Sequence, residues 1–221
     1  MSKVGILTIG QSPRKDATPS IRRILGDDVE IVERGALDRI TPDKLHEISP
    51  DGTEKTYISK LRNGDSVKIG KTKLLPLLQE ELTQLERDVD VVLMLCTGEF
   101  PTLKATKPIL YPDKILHHFT QAILPQGSPL GLIIPLEEQR DFLKEKWGDS
   151  GFTLEVEVAS PYEESDFDGA ARRLKEKGVS MIVLDCMGYN DEQKQQVKKI
   201  SELPVMLSRT LAARIAKEYI S

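Results

Sequence analysis

Two cysteines occur in the 221 residues, and they sit in matching surroundings. Cys96 ends the apolar run VDVVLML and is followed by Thr97-Gly98; Cys186 ends VSMIVLD and is followed by Met187-Gly188. An apolar, β-branched run that stops at a glycine reads as a buried strand entering a turn, so both thiols belong at strand carboxyl ends. In parallel sheets that is where ligands bind, because loops and helix N-termini converge there. Two acid/base groups on opposite faces of a carbon can invert it, one removing a proton while the other delivers one. A thiol suits that work, since its ordinary pKa of about 8.5 falls into the working range beside a helix N-terminus or a cation. Such a racemase or epimerase needs no metal and no organic cofactor. Two other interpretations compete. Free cysteine often fills buried space at a strand end, and a Cys96–Cys186 disulfide would serve redox chemistry if the α-carbons came within about 7 Å. Matched placement, each time with a glycine two positions on, favours catalytic use.

Substrate-holding groups are expected at the other strand ends. After the first strand comes Gly10-Gln11-Ser12-Pro13-Arg14. Gln11 and Ser12 supply polar groups there, and Arg14 a guanidinium able to grip a carboxylate bidentately; a solvated arginine at a helix start is the plain alternative. Thr97 offers a hydroxyl and a backbone N–H to an anionic oxygen, while Glu99 is either an acid or a helix-start charge. Gly98 and Gly188 let a loop backbone approach a ligand closely. Tyr189 is expected to wall the site, and Ser208 to open the last helix either as an anion donor or as a simple cap. Asp185 points away from Cys186 on a strand and is expected to be the buried partner of a loop amide.

Other chemistries find little support. His117 and His118 are adjacent, about 100° apart on a helix, so they do not share a metal as an i, i+4 pair does. With His46 alone elsewhere, no metal site is expected. TIGQSPRKD carries one glycine where a dinucleotide fingerprint needs three, and no phosphate-binding loop occurs, so no nucleotide cofactor is expected either.

The elements that must position these residues follow from hydrophobic patterning. Strand-like runs at 4–9, 29–33, 89–95, 130–135, 154–159, 179–185 and 204–208 alternate with amphipathic segments at 18–26, 73–88, 112–124, 137–147, 166–177, 191–201 and 209–220. Alternation of this kind indicates an α/β fold with parallel sheets, and continuous apolar strands indicate helical cover on both faces. Asn190 or Asp191 can cap the helix at 191–201. Residues 40–72 break the rhythm: Asn63-Gly64 between two alternating runs, 57–61 and 66–69, predicts a β-hairpin arm inserted in the first half. Apart from the arm, the order of elements in residues 4–96 repeats in 130–186, which predicts two pseudo-symmetric lobes, 1–125 and 126–221, with the C-terminal helix free to cross back to the first. Such an arm covers a site mouth, meets a partner subunit, or simply decorates the surface.

Composition narrows the partners. Hydrophobic residues at 39% and charged residues at 30% fit an ordered globular chain. A net charge of -4 argues against a nucleic-acid footprint, which needs a dense basic face. A small-molecule carboxylate is the expected partner. No apolar run approaches the roughly 20 residues of a membrane helix, and MSKVGILTIG enters a strand-like run in place of a signal peptide. We therefore expect a cytoplasmic protein with both thiols free.

The combination of TIGQSPRKD, RGALD at 34–38, IIPLEEQ at 133–139 and LDCMGY at 184–189 resembles the AroM family over nearly the whole chain. That family in turn is similar to the aspartate, glutamate and hydantoin racemase superfamily. The resemblance implies two flavodoxin-like lobes, each contributing one cysteine to a cleft at their interface, with Cys96 and Cys186 as the paired bases and Thr97 helping to hold the substrate carboxylate. It is compatible with a homodimer. One departure matters: the amino-acid racemases have an asparagine-threonine pair after the first cysteine and a threonine after the second, where Thr97-Gly98 and Met187-Gly188 stand here. Met187 donates no side-chain hydrogen bond, which speaks against an α-amino acid substrate. One-base chemistry through Cys186, an isomerisation or decarboxylation, and a non-catalytic ligand-binding protein are the alternatives.

Overall fold

Apolar runs without alternation require cover on both faces, and the helices supply it. The computed structural model describes residues 2–221. The chain divides into two compact units, Met1–Asp113 with Ala212–Ser221, and Lys114–Leu211. Among the described residues no helix is long and apolar enough to cross a membrane.

In the first unit the elements run β1 (Lys3–Thr8), α1 (Thr18–Leu25), β2 (Glu30–Gly35), the arm strands β3 (Thr56–Lys60) and β4 (Ser66–Gly70), α2 (Lys71–Leu85), β5 (Val91–Leu95) and a two-residue β6 (Ile109–Leu110). Four of these strands form a parallel sheet ordered β2-β1-β5-β6. Leu74, Leu78, Leu82 and Leu85 recur at helical spacing along α2 and are fully buried. The helix comes so close to the sheet that a Cβ on Gly5 would lie 2.9 Å from Leu85 Cγ. The arm is the expected antiparallel hairpin, with Lys60 opposite Ser66. Residues 61–65 join its strands, closed by the Leu61 N–H donating to Asp65 O at 2.8 Å, and Gly64 holds φ 95°, which glycine adopts without steric cost. The 3-10 helix Pro42–Ile48 and β6 leave no signal in the sequence, since neither is long enough to show a period.

In the second unit α3 (Pro112–Ile123) leads into β7 (Pro129–Ile134), α4 (Arg140–Gly148), β8 (Thr153–Val158), α5 (Phe167–Glu176), β9 (Met181–Leu184), α6 (Asp191–Ser201) and β10 (Val205–Leu207); α7 (Ser208–Ile220) follows, and from Ala212 on it belongs to the first unit. The sheet is ordered β10-β9-β7-β8, again parallel. Period-two alternation divides its strands between two cores. Ile133, Ile182, Leu184 and Leu207 meet α5 and α6; Leu132, Ile134, Val183 and Met206 meet Leu116, Leu143 and Trp147 on the other face. Asn190 caps α6 with a complete capping box, its side chain accepting from the Gln193 N–H at 2.8 Å.

Counted within each unit and without the arm, both sheets have strand order 2-1-3-4, the opening of the flavodoxin-like order. The duplication expected from the order of elements is therefore present as topology. The last ten residues, in α7, belong with the first unit, where Lys217 Nζ lies 3.6 Å from Asp28 and the Ser2 hydroxyl donates to Ile220 O at 3.4 Å.

Candidate active site

In the first unit β1 and β5 are neighbours in register, Thr8 beside Leu95, so the turns that follow them leave the sheet side by side. Cys96 opens the second of these turns. It is 9% exposed, and its Sγ accepts the backbone N–H of Gly98 at 3.3 Å. An N–H aimed at sulfur stabilises negative charge there. Thr97 is buried beside it.

The arm lies across this carboxyl edge. Lys60 O accepts the Gln11 N–H at 3.4 Å, and the Ser59 hydroxyl accepts from Arg14 Nη1 at 3.2 Å. The Tyr57 ring packs 5.5 Å from that of Phe100, and Lys55 Nζ lies 3.7 Å from Glu99. Tyr57 also covers Gly98, where a Cβ would stand 3.0 Å from Tyr57 Cζ. Burial, and then the charges of Cys96, Glu99 and Asp113, push the Tyr57 hydroxyl well above the ordinary tyrosine range, so it stays protonated. Tyr57 is absent from the expected site residues. Its only signal in the sequence is an aromatic residue on an arm with no other evident role.

The strand-1 turn is held from within. Ser12 donates its N–H and hydroxyl to Asp38 at 2.7 and 2.6 Å, and Arg62 Nη2 donates to the same carboxylate at 2.7 Å. Gln11 bridges main chain on both sides, donating to Leu37 O at 3.2 Å and accepting the Arg62 N–H at 3.0 Å. Gln11 and Ser12 thus fasten the turn to the RGALD segment and to the arm's loop. Arg14, expected to face a substrate carboxylate, is 3% exposed, and its fork closes on Asp16 at 2.8 and 2.7 Å, with a further bond to Thr8 Oγ1 at 2.9 Å. A carboxylate two residues away occupies the geometry that a ligand would need.

The second unit repeats the thiol turn. β9 ends at Leu184, and the half-buried Cys186 accepts the Gly188 N–H on Sγ at 3.4 Å. Tyr162, in the loop after β8, covers Gly188, where a Cβ would stand 2.5 Å from Tyr162 Cζ. That loop is itself fastened, with the Tyr162 N–H donating to Ser160 Oγ at 3.3 Å and Gln193 Nε2 to Pro161 O at 3.3 Å. Tyr189, expected to wall the site, lies instead in the core against α5 and α6; its hydroxyl donates to Ala159 O at 2.7 Å and its ring meets Phe167 edge-on. The Ser208 hydroxyl donates to Leu184 O and ties β10 to the end of β9. Asp185 does face away from Cys186, but it meets side chains of α4 where a loop amide was expected: Lys146 Nζ at 2.7 Å and Trp147 Nε1 at 2.8 Å.

The two glycines therefore carry a different load from the one expected. Each seats a tyrosine ring against a thiol turn. Gly98→Ala is expected to cost about 1–3 kcal/mol by overpacking, and Tyr57→Ala in the same chain to relieve most of that increment. Denaturant melts of the two single variants and the double variant check this as a cycle, and strict additivity would show that the ring and the glycine do not meet.

A pH effect arises beside Asp185. His117 stacks on Trp147 with ring centroids 5.7 Å apart. Burial lowers its pKa, and His118 and Lys146 oppose its charge further. The unfolded chain then binds the proton more readily, so the stability from neutral His117 is whole above its unfolded value of about 6.5 and is lost as pH falls below it. Thermal melts between pH 7 and 5 are expected to show a decline that His117→Gln flattens. The carboxylates whose pKa values are lowered, such as Glu54 and Glu86, act at lower pH and leave this window clear. Among the described residues no three His, Cys, Asp or Glu side chains gather as a metal set.

The family described as AroM protein matches residues 4–220. No curated protein matches the chain in sequence. Solved structures do share its fold. Unliganded arylmalonate decarboxylase superposes with a TM-score of 0.63, covering 100% of this chain and 92% of that one at 11% identity. Glutamate racemase from Aquifex pyrophilus gives 0.59, covering 99% and 84% at 14% identity. Maleate isomerase from Pseudomonas putida S16 gives 0.59, covering 99% and 92% at 12% identity. At such identities the likeness is one of fold.

Proposed function

The chain belongs to the AroM family, and from that premise, with a fold shared by racemases, an isomerase and a decarboxylase, we propose that it is a cofactor-independent racemase, epimerase or isomerase of a small carboxylate. One observation carries this reading: the chain's two thiols end equivalent strands of equivalent sheets, and each accepts the N–H of the glycine two residues on. Cys96 and Cys186 are the acid/base pair. One thiolate takes the proton from the carbon beside the carboxylate, the electron pair delocalises into that carboxylate, and the other thiol delivers its proton to the opposite face. Proton count and charge balance, and the pair ends with its protonation states exchanged.

Thr97 holds the carboxylate in this scheme, while the Gly98 and Gly188 N–H groups serve the two thiols. Gln11, Ser12 and Arg14 act behind them by fixing the strand-1 turn, as Ser208 fixes the end of β9. Incubation with candidate small carboxylates in deuterated water, followed by NMR at the α-position, tests the proposal. Inversion lost in both cysteine variants, with exchange lost for one antipode in each, supports it; exchange and inversion unaffected by Cys96→Ala and by Cys186→Ala overturn it.

A second reading rests on Met187, which is buried and offers the substrate no side-chain hydrogen bond. A ligand-binding protein without turnover fits that residue. Thermal stabilisation by a carboxylate that shows no exchange, undiminished in Cys186→Ser, would favour it.

A further inference from the structure

One contact in this protein is made twice. A Cβ on Gly98 would run into the Tyr57 ring, and a Cβ on Gly188 into the Tyr162 ring. In both turns the same glycine N–H points at the sulfur two residues back, at 3.3 and 3.4 Å. The tyrosines come from unrelated local structures, one from strand β3 of the arm and the other from the short loop 160–165. Their topological origin is nonetheless the same. Each segment follows the second strand of a 2-1-3-4 sheet, β2 in one unit and β8 in the other.

Glycine is the residue least able to hold its own amide in one direction, because it populates φ of either sign. A thiol turn that relies on a glycine N–H needs something to hold that amide. A packed phenol ring does so at little cost, being rigid apart from two torsions. We propose that Tyr57 and Tyr162 are positioning residues of the two thiols, each clamping the glycine whose N–H stabilises the thiolate of Cys96 or Cys186. The assignment rests on the acid/base role of the cysteines for its functional meaning, but its physical content is a property of each turn by itself. Tyr57 also lies within electrostatic reach of Cys96, which contributes to the upward push on its hydroxyl.

The test needs no substrate. Alkylation of Cys96 and Cys186 by iodoacetamide is followed peptide by peptide by mass spectrometry from pH 5 to 10, and the midpoint of each profile is read. Losing a hydrogen bond to a charged sulfur is expected to raise the midpoint by about one pH unit: for Cys96 alone in Tyr57→Ala, and for Cys186 alone in Tyr162→Ala. The midpoint is the readout because removing a ring also opens access and changes the rate at any single pH. A purely structural tyrosine would lower the melting temperature and leave the midpoint in place. Tyr57→Phe and Tyr162→Phe keep the ring and are expected to keep the midpoint. If an alanine variant fails to fold, leucine at the same position, which lacks the flat ring, takes its place.

Unmoved midpoints in folded alanine or leucine variants overturn the assignment. So do midpoints that move equally in the phenylalanine variants, since the hydroxyl and not the ring would then be acting. Failure of the two readings is separable. Absent α-proton exchange with shifted midpoints overturns the catalytic role and leaves the clamp, whereas normal exchange with unshifted midpoints does the reverse.

Discussion

Asp185→Ala destabilises the second unit by about 3–5 kcal/mol, the largest stability loss expected of any single substitution near the site. The side chains of Lys146 and Asp185 are 6% and 0% exposed, and they meet at 2.7 Å. The same carboxylate oxygen also accepts the Trp147 indole N–H at 2.8 Å. Removing the carboxylate leaves an ammonium and an indole donor without this acceptor, in surroundings that cannot solvate them. Lys146→Met leaves the opposite charge stranded and is expected to cost a similar amount. Replacing both, as Asp185→Leu with Lys146→Met, removes the two desolvation penalties together, and its cost is expected to be far below the sum of the singles. Trp147 is the chain's only tryptophan and sits in this core, so its fluorescence during denaturant unfolding reports on the second unit directly. Single variants that lose less than about 1 kcal/mol, with an additive double, would show that the pair does not hold the turn. Asp185 immediately precedes Cys186, so Asp185→Asn, which keeps an acceptor for the indole, should fall between wild type and alanine in both stability and activity.

Cys96→Ala and Cys186→Ala each lower interconversion by roughly 10²–10⁴-fold, the range for loss of a positioned acid or base. Their effects on isotope exchange are expected to differ in a diagnostic way. In a two-base mechanism each thiol abstracts the proton of one mirror-image substrate only. A chain lacking Cys96 can still deprotonate the antipode that presents its proton to Cys186, and the product of that step reprotonates from the same side. Exchange without inversion therefore survives for one antipode in each variant, and for opposite antipodes in the two. Chiral separation combined with NMR in deuterated water reads both quantities. If Cys186→Ala abolishes all exchange while Cys96→Ala leaves it intact for every substrate tried, a one-base reaction through Cys186 replaces the paired mechanism. The greater exposure of Cys186 would then identify it as the working thiol.

The framework of this protein was legible from the chain because its signals are local. Val91–Leu95 is apolar at every position and is buried at every position. Asn63-Gly64 marked a hairpin, and Asn190 or Asp191 marked a helix start, of which Asn190 is the cap. Even the repeat could be read, since the order of elements fixes which strand follows which. What could not be read depends on where side chains from distant segments converge. Nothing near Gly98 in sequence announces that Tyr57 will lie on it. Arg14 looked like an anchor because its chemistry permits one, but a choice between Asp16 and a ligand is made by side-chain geometry. Tyr189 carries a polar tip, which suggested a site wall. Ala159 O satisfies that tip inside the core, leaving the ring free to be packed like any aromatic. Nothing in RGALD itself gives Asp38 a role, and only the arm's return brings Arg62 onto it.

The membership of the last ten residues in the first unit has a consequence for biosynthesis. Ala212, Ala213 and Ala216 are buried, yet they follow the whole of Lys114–Leu211 in the chain. At translation rates of about 5–20 residues per second, the roughly 100 intervening residues take on the order of 5–20 s to make. During that interval the first unit has its sheet but not its final helical cover, and the apolar surface awaiting those alanines stays open on the ribosome. The second unit, contiguous in sequence, waits for nothing downstream. The lobe that is begun second is therefore complete in sequence before the lobe that is begun first, which closes only once Ala212–Ser221 has followed it.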